Sequence, residues 1–286
     1  MPSFLRHLPL NWLGILPFML FALLFLLLPT LNIVLGAFQT PDGDFTLANI
    51  SNLAQPRIAG AFWISIKLSF ASAIVGCVLG FLLAAAVTMT GLPGWLRGPM
   101  LTFSGVASNF AGIPLAFAFI ATLGRVGILT VLLKYIGIDV YGSGFNLISF
   151  WGLVLVYTYF QIPLMVLIIV PALDGLKQEW REAAEILGAT GLQYWRIVAF
   201  PILLPALLGT LALLFASAFG AIATATALTG SQLSIVPIVL FNQIRGDVLQ
   251  DPQLGYAIAF GMIVVTALTN FLYLFLRGRS ERWMKS

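Results

Sequence analysis

The chain has 286 residues, of which 60% are apolar and only 8% are charged, and its mean hydropathy is +1.02. A soluble domain has about 25% charged residues, so the composition excludes a soluble protein and indicates an integral membrane protein. The formal net charge is +4. We attribute this basic excess to anchoring at the inner face of a membrane, and expect no binding to nucleic acid.

Long apolar runs divide the chain into six predicted transmembrane helices, since a spanning helix needs about 20 apolar residues. The stretch 230–244 is interrupted by Gly230, Ser231 and Pro237, so we expect a partly buried loop there and a single span before it. The predicted fold is an all-α membrane protein with one permease-like domain over 1–286. Its spans lie near 12–36, 62–90, 100–124, 147–171, 203–229 and 254–276.

The distribution of Lys and Arg predicts the orientation, because these residues are in excess in cytoplasmic segments. With the N-terminus inside, nine basic residues fall on the cytoplasmic side: Arg6, Arg97, Lys177, Arg181, Arg196, Arg277, Arg279, Arg282 and Lys285. The opposite side has four: Arg57, Arg125, Lys134 and Arg245. We therefore expect both termini to be cytoplasmic in a multi-pass protein of the bacterial inner membrane.

Several kinds of chemistry are excluded by the residues that the chain lacks. His7 and Cys77 are the single residues of their types, which rules out a His/Cys metal site and a nucleophilic triad. No lysine follows a glycine, so a nucleotide-binding loop is absent. The predicted spans contain no Asp, Glu or His, the residues typical of ion-coupled carriers; Lys67 is their one basic residue, and we expect it to reach the outer interface.

Polar side chains within the predicted spans are candidates for lining a solute path. Hydrogen bonding between helices is the alternative role for each of them. The candidates are Asn109, Tyr157, Gln161, Ser217, Thr224 and Thr226. The second span is also rich in Ser, Ala and Gly between 69 and 86, which predicts close packing against a neighbouring helix.

One charged segment stands out in the middle of this apolar chain. Residues 174–185 contain four of the ten acidic residues, and Leu176 to Gly188 has the period of an amphipathic helix. Gly188 lies where a left-handed residue ends a helix. The predicted apolar face is Leu176, Trp180, Ala183, Ala184 and Leu187, and the predicted exposed face is Gln178, Arg181, Glu182 and Glu185. Its acids do not suit anionic lipid, so we expect a protein partner.

This segment resembles the signature loop of the membrane subunits of binding-protein-dependent ABC importers. That pattern is E-A-A, three residues, G, about nine residues, then I and L-P. The chain matches at Glu182, Ala183, Ala184 and Gly188, then at Ile197 or Ile202, Pro201 and Pro205, with Phe200-Pro201 where Leu-Pro is usual. The resemblance implies a type I importer permease fold similar to the methionine permease. It also implies that the loop 174–200 forms a coupling helix, whose contact with an ATPase involves Glu182, Ala183, Ala184, Gly188, Glu185 and Arg181.

The same resemblance implies partners and a class of function. These are a second permease subunit or a second copy, two ABC ATPase subunits that bind ATP and Mg, an extracytoplasmic solute-binding protein, and membrane lipid. This chain itself is then a transport subunit without a cofactor or enzymatic activity. A secondary carrier, a channel or a membrane scaffold are the alternatives from other classes.

The transported solute is predicted from a weaker resemblance. Segments 123–137, 224–230 and 244–265 are similar to the spermidine/putrescine permease group, whose relatives transport phosphonate, ferric iron or sulfate. A polyamine favours acidic or aromatic contacts, and the spans offer only the aromatic ones: Trp151, Tyr157, Tyr159 and Phe160. An anion would instead use Asn109, Ser217, Thr224 and Thr226. The sequence thus predicts a polyamine, with phosphonate, sulfate or ferric iron as alternatives.

Overall fold

The computed structural model describes residues 11–89, 94–230, 232–245 and 251–282, and these ranges form helices and turns without a strand. Arg6, His7, Lys285, Ser231 and the turn at 91–93 lie outside the described residues. Six helical stretches are long and apolar enough to cross a membrane: Gly14–Ala37, Pro56–Met89, Gly112–Tyr135, Phe150–Asp174, Gly191–Gly220 and Pro252–Gly278. The prediction of an all-α protein with six spans is confirmed.

The chain separates into two compact units, residues 1–59 with 240–264 and residues 60–239 with 265–286. The helices up to the second span are α1 (Asn11–Ala22), a π-helical turn (Leu23–Leu27), α2 (Leu28–Ala37) and α3 (Ala48–Ser51). Those of the second, third and fourth spans are α4 (Pro56–Met89), α5 (Gly94–Asn109), α6 (Gly112–Leu123), α7 (Ile128–Tyr135) and α8 (Phe150–Asp174). The remainder are α9 (Gln178–Ile186), α10 (Gly191–Tyr194), a π-helical turn (Trp195–Ala199), α11 (Phe200–Gly220), α12 (Ala223–Thr229), α13 (Val236–Arg245) and α14 (Pro252–Arg282).

In the first unit, the end of the first span packs closely against the beginning of α14. A Cβ atom at Gly36 would come within 2.5 Å of the Tyr256 ring, so only glycine permits this approach. The ring of Phe38, one residue beyond α2, lies 5.2 Å from that of Phe260 and 6.2 Å from that of Phe45. These aromatic contacts hold the loop that follows α2 against α14.

In the second unit, α8 lies at the centre of the core, and 67% of the residues in its most apolar stretch are buried. Gly76 and Gly80 of α4 face α8 directly. A Cβ atom at Gly76 would lie 2.7 Å from the Cβ atom of Gln161, and one at Gly80 would lie 2.6 Å from that of Met165. The close packing predicted for the small residues of 69–86 is therefore confirmed at these two positions.

The third predicted span, 100–124, is not one helix: α5 ends at Asn109 and α6 begins at Gly112. Pro114 explains the interruption, because it has no N–H to donate to the carbonyl of Phe110 and its ring clashes with that carbonyl in a helix. Gly112 adopts a φ of 74°, which favours glycine. The sequence predicts a kink here, whereas the structure has a complete break.

The fifth predicted span, 203–229, is also divided, since α11 ends at Gly220 and α12 begins at Ala223. Ala221 takes an extended conformation with φ −75° and ψ 97°. No proline lies at this break, and we attribute the break to a tertiary contact. The hydroxyl of Tyr157, in α8, donates a hydrogen bond to the carbonyl of Ala221, which replaces a helical donor.

The two breaks are joined directly to each other. The backbone N–H of Gly112 donates to the hydroxyl oxygen of Thr224 across 2.8 Å. Thr224 and Tyr157 are both buried, with 2% and 0% of their surfaces exposed. Each break thus places a backbone group opposite a buried side-chain hydroxyl, so α6, α8 and α12 meet at one junction. This group of Gly112, Tyr157, Ala221 and Thr224 is called the break junction below.

The sequence analysis predicts a loop at 230–244. This prediction is wrong for the second half of the stretch, which forms the helix α13. Val236, Ile238 and Val239 are buried, and the N–H of Val236 donates to the hydroxyl of Ser65 in α4 at 2.8 Å. Pro237 lies in the first turn, where a missing N–H leaves no helical bond unmade. The sequence analysis treated Pro237 as an interruption, but at this position a proline begins a helix.

Replacing Thr224 by Val tests the break junction. The variant keeps the shape of the side chain but leaves the N–H of Gly112 without its acceptor, so we expect a loss of about 1–3 kcal/mol in the free energy of unfolding. Thr229→Val is the matched control in the same helix, because the hydroxyl of buried Thr229 donates to the carbonyl of Ala225 within α12. Thermal unfolding in detergent measures both variants, and equal losses would contradict the role assigned to Thr224.

Candidate functional site

The charged segment forms a helical hairpin between the fourth and fifth spans. α9 follows the end of α8 after three residues, and Gly188 ends it with a φ of 79°, as the sequence predicts. A capping box then starts α10: Thr190 accepts from the N–H of Gln193, whose side chain accepts from the N–H of Thr190. These stop and start signals fix a sharp turn between two short helices.

The structure leaves both faces of α9 uncovered, since no residue of α9 is buried. Leu187 is 86% exposed and Ile186 is 85% exposed, and Trp180 and Ala183 are also exposed. The helix projects beyond the core of its unit, so its apolar side has nothing of that core to pack against. A surface of this kind typically marks a binding site for another molecule.

The charged residues of α9 are paired along the helix. The side chain of Gln178 donates to Glu182 at 2.8 Å, and Arg181 forms an ion pair with Glu185 at 3.0 Å. Such exposed pairs contribute only a few tenths of a kcal/mol each. Arg181, Glu182 and Glu185 also line an open cavity of about 570 Å³ together with Asp174 and Tyr194. The charges therefore remain accessible to a partner.

Of the six polar residues predicted to line a path, Asn109 and Ser217 are exposed. Asn109 is the last residue of α5, and Ser217 lies one helical turn before the end of α11. Both therefore lie within a few residues of the break junction in the chain. At membrane depth, irregular backbone occurs only where it is buried in protein or lines a water-filled cavity. The buried groups of the break junction meet this requirement, and Asn109 and Ser217 are uncovered side chains beside it.

The other four residues serve helix contacts in this structure. Tyr157 and Thr224 form the break junction, and the hydroxyl of Thr226 bonds to the carbonyl of Ile222 in its own helix. Gln161 is fully buried and donates to Ser72 at 3.2 Å and to the carbonyl of Leu214 at 3.4 Å, which links α8 to α4 and α11. In this structure Tyr157, Gln161 and Thr224 therefore form hydrogen bonds between helices, which is the alternative to lining a solute path.

The sequence analysis missed an aromatic cluster beside the first break. The ring of Tyr159 lies 6.4 Å from that of Phe110 and 5.7 Å from that of Phe119, both edge to face. Phe110 is 40% exposed and Tyr159 is 37% exposed. Phe110 is the residue directly after α5, and only the break brings it to Tyr159. Exposed aromatic faces of this kind bind cations.

Lys67 is exposed on α4, and its Nζ atom lies 5.3 Å from the centre of the Trp63 ring. Trp63 is exposed on the same face of the helix, one turn nearer to its start. This contact fits a lysine that extends toward the membrane interface. No hydrogen bond or ion pair joins Lys67 to the break junction among the residues that the structure describes.

Comparison with known proteins identifies the family. Residues 76–286 match the family described as "Binding-protein-dependent transport system inner membrane component". The permease protein PotB of the spermidine/putrescine transport system of Haemophilus influenzae is 26% identical over 87% of this chain and 87% of its own length. The sulfate transport system permease protein CysW of Escherichia coli is 28% identical over 85% of this chain and 77% of its own.

Solved structures agree with the fold. A bacterial ABC transporter that imports the acidic polysaccharide alginate contains a chain similar to this one, with a TM-score of 0.71, 18% identity, and coverage of 96% of this chain and 95% of that one. The MetNI methionine ABC transporter in an inward-facing conformation gives a TM-score of 0.53 at 18% identity, covering 78% and 95%. The predicted type I importer fold is therefore confirmed. This chain belongs to the inner membrane components of binding-protein-dependent transport systems, the permease subunits of ABC importers.

Proposed function

We propose that this chain forms one half of the membrane path of an ATP-driven solute importer and that α9 couples this path to an ATPase. The observation that supports the proposal most is the exposure of α9. This helix contains the Glu182-Ala183-Ala184 sequence, and both its charged and its apolar side chains are uncovered. A protein cleft that covers Ile186 and Leu187 while it pairs with Glu182 would satisfy both kinds of surface.

The partners follow from what the chain itself lacks. Its sequence has no nucleotide-binding loop, so ATP and Mg bind to two separate ABC ATPase subunits. A second permease subunit, or a second copy of this chain, completes the path. A solute-binding protein delivers the solute from outside, and both termini of this chain lie in the cytoplasm.

The mechanism rests on two alternating states of the path. Closure of the ATPase pair around ATP displaces α9, and hydrolysis lets it return. A displacement at α9 shifts the permease between inward-facing and outward-facing states to the extent that the ATPase binds one state better than the other. The broken spans supply the polar lining for the solute at Asn109 and Ser217.

Reversal of one charge on α9 tests the coupling contact. Glu182 is exposed and, within the part of the chain that the structure describes, accepts a hydrogen bond only from Gln178 of α9, so we expect Glu182→Arg to leave the spans unchanged and to insert normally. We expect the affinity for the ATPase to fall about tenfold, which corresponds to ~1.4 kcal/mol. Co-purification of the ATPase with the tagged permease, titrated over ATPase concentration, measures this loss.

Asp42→Arg is the control for a change of charge alone. Asp42 is exposed in the loop between the first two spans, which we expect on the outside, so this variant retains the ATPase fully. Undiminished co-purification of the ATPase with Glu182→Arg would refute the coupling contact. A secondary carrier or channel would transport solute without the ATPase, and removal of the ATPase distinguishes those classes.

For the solute, we propose a polyamine or a similar organic cation. The aromatic cluster of Phe110, Tyr159 and Phe119 supports this class, because it offers ring faces beside the first break. The named function of the PotB relative supports it as well. An anion such as sulfate or phosphonate, or ferric iron, is the second candidate. The neutral polar groups of Asn109 and Ser217 and the CysW relative support the anion.

Stimulation of ATP hydrolysis distinguishes these solutes. The complex in lipid, with its binding protein, is assayed with spermidine, putrescine, an aminophosphonate, sulfate and ferric iron. We expect the two polyamines to stimulate hydrolysis and Tyr159→Leu to raise the polyamine concentration needed for half-stimulation about two- to fivefold, the size of an exposed cation–π contact. Phe117→Leu is the control, since Phe117 is 62% exposed on α6 and lies outside the cluster. Stimulation by an anion alone would refute the polyamine and retain the importer.

A further inference from the structure

An ion pair joins two spans on the same side of the membrane as α9. The guanidinium of Arg97, in the first turn of α5, contacts the carboxylate of Asp174, the last residue of α8. The two residues are 77 positions apart in the sequence. The pair of Arg181 with Glu185, by contrast, stays within α9. The Arg97–Asp174 pair therefore connects the base of the helical hairpin to a different span.

From Arg97, α5 leads without interruption to the first break. The helix has 16 residues, which corresponds to a length of about 24 Å. Ser104 and Ala107 are buried on one side of it, and α5 packs along α8. Its last residue, Asn109, directly precedes the break, whose Gly112 N–H is bonded to Thr224. Although Pro99 lies two residues after Arg97, α5 is continuous from Gly94 to Asn109, and it connects the Arg97 end to the break junction.

Asp174 ends α8 and lies close to the start of α9 in the chain. Only Gly175, Leu176 and Lys177 separate it from the first residue of α9. Lys177 and Arg181 line the same open cavity as Asp174, so two further cations lie on the side of the hairpin. A movement of α9 would let these cations compete with Arg97 for the same carboxylate.

The exposure of the pair suits such an exchange. The side chains of Arg97 and Asp174 are 41% and 44% exposed, so each can part from the other without leaving an unpaired charge in an apolar interior. A buried pair would resist separation, because breaking it leaves a charge without solvent or partner. An exposed pair is held more weakly and is released when α9 moves.

We propose that the ion pair of Arg97 and Asp174, which forms and breaks reversibly, couples the movement of α9 through α5 to the broken third span. This pair is called the joint below. The proposal rests on the proposed function, since it needs the ATPase to displace α9. Arg97 and Asp174 are positioning residues: neither contacts the ATPase nor the solute in this account. Their role is to make the position of the break depend on the position of the hairpin.

Charge reversal and charge exchange test the joint in the complete transporter in lipid vesicles. Arg97→Glu and Asp174→Arg are made singly and together, and solute uptake and ATP hydrolysis are measured on the same vesicles. We expect each single variant to hydrolyse ATP and to bind the ATPase normally, while the uptake per ATP falls about fivefold, the effect of losing ~1 kcal/mol of an exposed pair. The double variant restores the pair with opposite charges, so its uptake per ATP returns to within about twofold of the original.

Arg97→Lys is the matched conservative variant, and it retains the charge and the coupling. If a charge reversal prevents folding, Arg97→Gln and Asp174→Asn give the same comparison without a repulsive contact. Normal uptake per ATP in the single variants, or a double variant as impaired as the single ones, would refute the joint. A wrong proposed function gives a different result from a wrong joint. In that case the unaltered permease does not retain the ATPase, and Glu182→Arg has no effect on co-purification.

Discussion

The absence of water inside a bilayer is the constraint on which this structure depends. Backbone groups that no helix satisfies are costly there, and yet the apolar helices of this protein are interrupted at 110–111 and at 221–222. The break junction resolves the conflict: Tyr157 donates to the carbonyl of Ala221, and Thr224 accepts from the N–H of Gly112. Because both side chains are buried, each interruption occurs at one fixed place.

The fixed interruptions explain where polar surface is found in an otherwise apolar bundle. Asn109 and Ser217 are exposed beside the breaks, and Phe110 reaches the ring of Tyr159 only because α5 stops at Asn109. The hairpin of α9 and α10 adjoins α8, the helix that also supplies Tyr157. One central helix thus borders both the surface that we assign to the ATPase and the junction that we assign to the solute.

The sequence predicted the features that depend on local patterns. Hydropathy located six spans, and the period of 176–188 together with Gly188 located α9 and its end. The features that it missed depend on residues far apart in the chain. The contacts at Ala221 and Gly112 join partners separated by 64 and 112 positions, and nothing in the local sequence at Ala221 signals a break. Pro114 gave a local signal for the first break and was interpreted as a kink.

Periodicity reveals that α9 has an apolar and a polar face, but it does not indicate which neighbour covers either of them. Leu187 is exposed here, and in our account a second protein covers this side. Gln161 and Tyr157 show the converse case. Their polarity within a span suggested contact with solute, whereas their partners in α4 and α11 and at Ala221 place them inside the protein.

The accessibility of Ser217 to water tests the central claim most directly. In a variant in which Cys77 is replaced by Ala, a single cysteine is placed at Ser217, and its modification by a charged, water-soluble thiol reagent is followed in the assembled transporter. Ser72→Cys is the control, because Ser72 is fully buried. We predict that the cysteine at 217 reacts, that the one at 72 does not, and that transported solute slows the reaction at 217. A cysteine at 217 that stays unmodified, or that reacts at a rate which no solute changes, would contradict a solute path at the broken spans.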